Sequence, residues 1–214
     1  APQQRLHTDP VVHAYAITAR RCGFHREHLV AFFSSMRADL THREYSPSEL
    51  QDYIYGSSEA IGLLCLQIFL AEEDVSPADR AAMERGARAL GSAFQKINFL
   101  RDLAEDSSTL GRTYFQQAPS GRIDEATKSA LIAEIRQELA TAALTIDLLP
   151  ASARVGVSAA ADIFAELTNR LAATPATDLA TTRVSVPNHT KAWLAARAVR
   201  RRGHSKHAPH PAED

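Results

Sequence analysis

Two aspartates one helical turn apart are the residues of this sequence best suited to hold a metal ion. Asp102 and Asp106 lie in the run FQKINFLRDLAED. On an α-helix their side chains point the same way, with about 6 Å between the Cβ atoms. Such a pair can share a hard cation such as Mg²⁺, which completes its coordination shell with water and phosphate oxygens. The pair therefore predicts a phosphorylated substrate, while a solvated acidic helix face is the alternative explanation.

A polar stripe leads to these aspartates along the same predicted helix. Gln95, Asn98, Asp102 and Asp106 follow one another at steps of three, four and four, which places them within an arc of about 80°. Apolar residues occupy the other sides of the helix, namely Leu90, Ala93, Phe94, Ile97, Phe99, Leu100, Leu103 and Ala104. We therefore expect a helix buried nearly all round, whose polar stripe is satisfied by side chains, water or a ligand with its metal.

Composition and charge narrow the function classes. The 214 residues and 45% hydrophobic content suit one large domain. A formal net charge of −1 argues against a dedicated nucleic-acid binder. Cys22 and Cys65 lack metal-ligand spacing, which favours ordinary thiols in a reducing compartment. No run reaches about 18 apolar residues, so we expect a cytoplasmic protein, with peripheral contact at the inner membrane face left open.

The elements that must position the stripe are helices. Alanine-rich segments with helical periodicity fill the sequence and strand signals are absent, so the predicted fold is all-α. Asp9, Ser46, Ser76 and Asp124 read as N-caps. The predicted helices span residues 10–23, 25–40, 47–70, 77–106, 125–149, 152–173 and 188–201, and residues 202–214 are predicted to be a disordered tail.

Two motifs resemble those of one enzyme family. The run GSAFQKINFLRDLAEDSSTLGRTYF resembles the second aspartate-rich region of the squalene and phytoene synthases. Upstream, LQDYIYGSSEAIGLL is similar to the family's Tyr-x-x-x-Val-Ala-Gly-x-Val-Gly helix. Tyr53 and Gly62 are retained there, whereas Ser57, Ser58 and Glu59 stand where Val, Ala and Gly are usual. The resemblance is closest to the bacterial phytoene synthase type.

The resemblance implies an isoprenoid-synthase-type helical bundle and a Mg²⁺-dependent reaction. That reaction is the head-to-head (1'-1) condensation of two prenyl diphosphates, with geranylgeranyl diphosphate giving phytoene as the leading assignment. Mn²⁺ is an alternative metal, and no nicotinamide cofactor is expected. Two alternatives stay open: a squalene or dehydrosqualene synthase that uses farnesyl diphosphate, and a non-catalytic helical subunit or regulator derived from a prenyl synthase.

The resemblance also assigns roles to particular residues. It implies that Asp102 and Asp106 bind Mg²⁺ and that Tyr53 acts near the reacting carbons as a proton shuttle or cation stabiliser. The implied substrate-binding residues are Gln95, Asn98, Arg112, Tyr114 and Gly62, and the apolar sleeve for prenyl tails would include Ile61, Leu64 and Phe94. A core tyrosine at position 53 and a solvated loop arginine at position 112 are the alternatives.

One feature of the family has no counterpart in the sequence. The family carries two aspartate-rich sites and this chain shows one, so we expect a bundle incomplete at the N-terminus. Residues 1–8 would be an extension or truncation point, and residues 9–201 the C-terminal two-thirds of the synthase domain. The chain would then bind Mg²⁺ and one diphosphate weakly without condensing two substrates. An N-terminal complement or a homo-oligomer would supply the missing site.

Other charged groups suggest weaker roles. Glu134 and Glu138 are also one turn apart, but the periodicity places them on the polar face of their helix. Basic residues near the C-terminus either contact anionic lipid or belong to a solvated tail; they are Arg197, Arg200, Arg201, Arg202 and Lys206. His204, His207 and His210 recur every third residue and are suited only to adventitious metal uptake.

Overall fold

The structure of the chain, a computed structural model, describes residues 8–42, 44–103 and 123–205. These residues form nine α-helices and one π-helical turn. In chain order they are α1 (Pro10–Arg21), α2 (Arg26–Thr41), α3 (Pro47–Ile54), the π turn (Tyr55–Glu59), α4 (Ala60–Phe69), α5 (Pro77–Arg101), α6 (Glu125–Ile146), α7 (Ala151–Ala173), α8 (Ala176–Leu179) and α9 (Asn188–Ser205). The described residues contain no strand, and the all-α prediction is confirmed.

All four predicted N-caps begin helices. The Asp9 carboxylate accepts hydrogen bonds from the first-turn amides of α1, and Asp124 accepts one at the start of α6. Ser46 and Glu49 form a reciprocal capping box at α3, and the Ser76 hydroxyl accepts from a backbone amide in the first turn of α5. Each cap satisfies a backbone donor that the helix itself leaves unpaired.

The long central helix α5 ends earlier than predicted. Asp102 has φ −99° and ψ 9°, so the helix ends at Arg101, whereas the prediction continued it through Asp102. The Asp102 amide still donates to the carbonyl oxygen of Asn98, at 2.9 Å. Arg101 and Arg183 form ion pairs with the Asp102 carboxylate at the end of the helix.

The core gathers around the second half of α5. Ile97 and Leu100 are fully inaccessible to solvent, and Phe99 is 2% exposed. Around them pack buried side chains from four other helices, among them Tyr53, Ile54, Ile132, Ile135, Leu167, Leu171 and Leu179. Burial on nearly all sides of this part of α5 is therefore confirmed, and its polar side chains need partners.

One polar face of α5 finds its partners on α6. Lys96 Nζ donates to Glu134 Oε1 and to Glu138 Oε1, both at 2.6 Å, and the Ser92 hydroxyl donates to Glu138 Oε1 at 2.8 Å. Burial lowers the pKa of Lys96, but its hydrogen bonds to both glutamates and their negative charges outweigh this effect and leave the pKa raised. Glu134 and Glu138 lie on a polar face as predicted, and this face packs against α5, since only 20% of the Glu138 side chain is exposed.

The predicted continuous helix over residues 47–70 is interrupted by the π turn, which packs between α2 and α5. On the α2 side, Gly56 lies so close to Ala31 that a Cβ would overlap its carbonyl group. On the α5 side, the Ser58 hydroxyl donates to the carbonyl oxygen of Gly91 at 2.5 Å. A Cβ on Gly91 would lie 2.9 Å from the carbonyl oxygen of Ser58. Two glycines thus allow the backbones to approach.

Membrane insertion finds no support in these helices. Within the described residues, no helix combines the length and apolar character needed to cross a bilayer.

The close approach at Gly91 gives a stability prediction with an internal control. Gly91→Ala should lower the free energy of unfolding by about 1–3 kcal/mol, because backbone atoms of the π turn must move to admit the methyl group. Gly156→Ala should raise it by about 1 kcal/mol, because a Cβ there meets no atom within 4 Å and alanine favours the helix. Urea unfolding of both variants measures this, and equal effects would contradict the packing described.

Candidate active site

The second polar face of α5 does not find the partners that the first face has. Gln95 and Asn98 lie on it, both half-buried. Asn98 Oδ1 is buried and, within the part of the chain that the structure describes, accepts no hydrogen bond. An unpaired buried oxygen of this kind costs about 1–3 kcal/mol. The arrangement calls for a donor or a cation at this position.

Asp102 supplies a negative charge one turn beyond Asn98. Its Oδ1 accepts hydrogen bonds from Arg101 Nε and Arg183 Nε, each at 2.9 Å, and its Oδ2 is paired with Arg101 Nη2. Partial burial raises the pKa of Asp102, but the hydrogen bonds and charges of the two arginines together hold the pKa below its usual value. The carboxylate is therefore ionised at neutral pH and available to a cation that displaces or joins the arginines.

An apolar cavity of about 550 Å³ lies against the other end of the same stripe. It is lined by α4, α5, α6 and α7 together with the π turn, and Gly91 forms part of its wall. Gly91 precedes Gln95 by one turn, so the stripe starts in the cavity wall and continues along α5 toward Asp102. The site thus offers an apolar chamber and a polar, charged end on one helix.

Most, but not all, of the residues predicted to contact the prenyl tail line this cavity. Ile61, Gly62 and Phe94 line the apolar cavity. The Phe94 ring stacks on that of Phe164 from α7, with 3.8 Å between ring centroids. Leu64 is buried on α4 and does not line the cavity, and its assignment to the sleeve stays a prediction.

Tyr53 lies apart from this cavity. Its hydroxyl donates to Asp39 Oδ1 at 2.9 Å, and its ring lies 6.1 Å from that of Phe99 on α5. Tyr53 instead lines a separate pocket of about 390 Å³, together with His42 and Tyr45 among others. The structure shows a core tyrosine with a hydrogen-bonded hydroxyl, and its role near reacting carbons stays a prediction.

Three predicted site residues lie outside the described residues: Asp106, Arg112 and Tyr114. Their assignments stay predictions.

Sequence reasoning gave no role to two charged residues that contact the predicted site, Asp39 and Arg183. Asp39 follows Ser35 by one turn on α2, and the Ser35 hydroxyl donates to the Tyr53 carbonyl oxygen at 3.3 Å. The spacing of Ser35 and Asp39, one helical turn apart, was the signal in the sequence that could have indicated a polar contact here. Arg183 is distant in sequence from Asp102, and only the tertiary structure brings the two together.

The ion pairs of Asp102 predict a pH dependence of stability. Because the folded pKa lies below the unfolded value of about 3.9, the stabilisation is present above that value and is lost as pH falls through the folded pKa. Asp102→Asn should lower the free energy of unfolding by about 1 kcal/mol at neutral pH. The difference from the unmodified chain should shrink below about pH 4, as measured by urea unfolding. A difference that stays constant or grows in acid would contradict these ion pairs.

Parts of this sequence are similar to known proteins. Residues 2–118 match the sequence profile of the squalene/phytoene synthase family. The chain is 42% identical over 86 residues to phytoene synthase 3, chloroplastic, of Zea mays, which covers 38% of this chain and 19% of that protein. It is 27% identical over 136 residues to the bifunctional lycopene cyclase/phytoene synthase of Blakeslea trispora, covering 56% of this chain and 22% of that protein.

A solved structure supports the fold. The squalene synthase HpnC from Alicyclobacillus acidocaldarius superposes with a TM-score of 0.56 at 18% identity, over 92% of this chain and 67% of that chain. The likeness confirms the predicted bundle type. The chain spans about a fifth of the length of each curated relative. Because the profile match covers more than half of its residues, the chain belongs to the squalene/phytoene synthase family.

Proposed function

We propose that this chain binds a prenyl diphosphate through Mg²⁺ and serves the head-to-head condensation of two such substrates. The observation that carries the proposal is the unpaired Asn98 Oδ1 beside the ionised Asp102, on the helix face that leads out of an apolar cavity. A ligand with a charged head and a long apolar tail matches both ends of this arrangement. Membership of the family supports the same ligand class.

The residues present fit a Mg²⁺ ion. Asp102 offers carboxylate oxygens and Asn98 an amide oxygen, which are the hard donors that Mg²⁺ accepts. Mg²⁺ would neutralise charge on the departing diphosphate. Asp106, from the same motif, is proposed as the second carboxylate, and Mn²⁺ as an alternative metal.

The chain's own groups would then hold the substrate. Gln95 and Asn98 would orient the diphosphate by hydrogen bonds, with Arg112 and Tyr114 contributing from the following segment. Arg101 and Arg183, which now neutralise Asp102, would become available as donors to phosphate oxygens once a cation takes the carboxylate. The cavity wall at Ile61 and Phe94 would shield the prenyl tail from water.

The two curated relatives favour geranylgeranyl diphosphate and phytoene as substrate and product, because both carry phytoene synthase in their names. Farnesyl diphosphate and squalene are the second choice. Since one aspartate-rich motif is found in the chain, we propose that the second metal site comes from an N-terminal complement or a second copy.

A non-catalytic role is the second candidate, and Glu59 favours it. Glu59 occupies the position where the family usually has glycine, and its Oε2 accepts a hydrogen bond from Arg88 Nε at 2.7 Å. The Glu59–Arg88 ion pair thus stands next to Ser58 in the cavity wall, at the position where the family usually has glycine. Binding and turnover assays separate this candidate from the synthase.

Metal-dependent binding tests the proposal. Radiolabelled geranylgeranyl diphosphate should bind the 214-residue chain in equilibrium dialysis with Mg²⁺. This binding should be lost when the metal is chelated. Asn98→Ala and Asp102→Asn should each weaken binding by about tenfold or more, because each removes a polar contact to the charged head. Glu84→Gln, an exposed carboxylate earlier on the same helix, is the matched control and should bind normally.

Binding that does not depend on the metal, or that is unchanged by both Asn98→Ala and Asp102→Asn, would rule out the proposed site. Hydrocarbon product from the chain alone, abolished by Asp102→Asn, would instead show that the chain carries both metal sites.

Cys65 reports whether the prenyl tail enters the cavity, because its side chain forms part of the wall. In a Cys22→Ser background, Cys65 is the chain's remaining thiol. Burial raises the pKa of the Cys65 thiol, so maleimide labelling needs mildly alkaline pH. Geranylgeranyl diphosphate with Mg²⁺ should slow labelling several-fold, and inorganic diphosphate with Mg²⁺ should not. Equal protection by both ligands would place the tail elsewhere.

A further inference from the structure

A second cluster of metal-binding side chains lies at the start of α2, away from the α5 stripe. His25, Glu27 and His28 each offer one ligand atom, and these three atoms lie within 4.8 Å of one another. His25 Nδ1 is 3.9 Å from Glu27 Oε1, and the His25 and His28 rings stack with 5.5 Å between centroids. Neither the family motifs nor the proposed function uses these residues.

The buried member of the cluster is held in place by the π turn. His28 is 7% exposed, and its Nδ1 is hydrogen-bonded to the Tyr55 hydroxyl at 2.9 Å. The guanidinium of Arg88 lies 5.5 Å from the centre of the Tyr55 ring. Hydrogen bonds of this kind orient the histidine ligands of metal sites.

The exposed histidine is positioned by the turn that precedes α2. Gln67 on α4 donates from Nε2 to the Gly23 carbonyl oxygen at 3.1 Å, and its Oε1 accepts from the His25 amide at 3.4 Å. His25 has φ −74° and ψ 125°, so it precedes the helix, and its side chain makes no capping hydrogen bond. The ring is therefore free of a cap role and lies beside His28.

We propose that His25, Glu27 and His28 bind a divalent transition-metal ion such as Zn²⁺. Two imidazoles and one carboxylate suit Zn²⁺ and other divalent first-row transition metals, whereas Mg²⁺ prefers oxygen ligands alone. Ligands at about 2.0–2.2 Å from one ion lie about 3–3.5 Å apart. The side chains of His25 and Glu27 are 62% and 73% exposed, so they can close the remaining distance by rotation while His28 stays fixed.

Bound metal would fasten the start of α2 to the π turn, through His28 and Tyr55. The π turn contributes Ser57 and Ser58 to the apolar cavity. A ligand that binds the folded state stabilises it. Zn²⁺ should therefore raise the melting temperature of the chain, and Mg²⁺ at equal concentration should do so less.

The test uses the full 214-residue chain without an affinity tag. His204, His207 and His210 are replaced by alanine in every protein, so that tail histidines cannot contribute. Zn²⁺ affinity is measured by competition with a chromophoric chelator, and the melting temperature is recorded with and without Zn²⁺. His25→Ala and Glu27→Gln remove exposed ligands, His28→Asn removes the buried one, and Tyr55→Phe removes the positioning hydroxyl. His189→Ala, an exposed histidine on α9, is the matched control.

One Zn²⁺ should bind per chain, and His25→Ala should weaken it by about tenfold or more, with Tyr55→Phe giving a similar loss. His189→Ala should leave the affinity unchanged. Absence of Zn²⁺ binding by the tail-substituted chain would overturn the proposal. Binding that is equally tight in His25→Ala and Glu27→Gln would overturn it too, and these two exposed substitutions keep the test valid if His28→Asn fails to fold.

Discussion

The structure depends on satisfying the polar side chains of a helix that is buried on nearly all sides. On one face of α5, Ser92 and Lys96 donate hydrogen bonds to Glu134 and Glu138 on α6, although Glu138 Oε2 is buried and accepts none within the described residues. On the other face, Asn98 Oδ1 stays unpaired within the described residues. The same helix therefore contains a face whose polar side chains are paired mainly with α6 and a face that we propose a ligand completes.

The π turn connects this helix to its surroundings. It packs on α2 through Gly56, bonds α5 through Ser58 and holds His28 through Tyr55. π turns are often found at functional sites, since the extra residue redirects side chains. Here Ser57 and Ser58 line the apolar cavity, where the family pattern has Val and Ala. The substitution places two hydroxyls in a wall that otherwise carries apolar groups.

Local signals in the sequence predict most of the helices. Asp9, Ser46, Ser76 and Asp124 begin helices because capping is a short-range interaction that the residue types themselves reveal. Apolar periodicity likewise predicts the burial of α5. The run that contains the Gln-Asn-Arg-Asp motif is long and specific, so it could indicate the family from sequence. The match of residues 2–118 to the family confirms this resemblance.

The features that the sequence did not reveal depend on tertiary contacts. Asp102, at the end of α5, pairs with Arg183, which is distant in sequence. The inward position of Glu138 depends on Lys96, a partner on another helix, and periodicity alone could not reveal it. The roles of Asp106, Arg112, Tyr114 and the metal stay predictions.

A metal-bound diphosphate is proposed to complete the Asn98 and Asp102 face of α5. A crystal structure of the chain with Mn²⁺ and a non-cleavable prenyl thiolodiphosphate would test this. We expect an anomalous peak about 2.1–2.3 Å from an Asp102 carboxylate oxygen, the diphosphate within hydrogen-bond distance of Asn98, and the prenyl chain in the apolar cavity. Asn98 Oδ1 bonded to a protein donor, with the metal and diphosphate bound elsewhere, would contradict it.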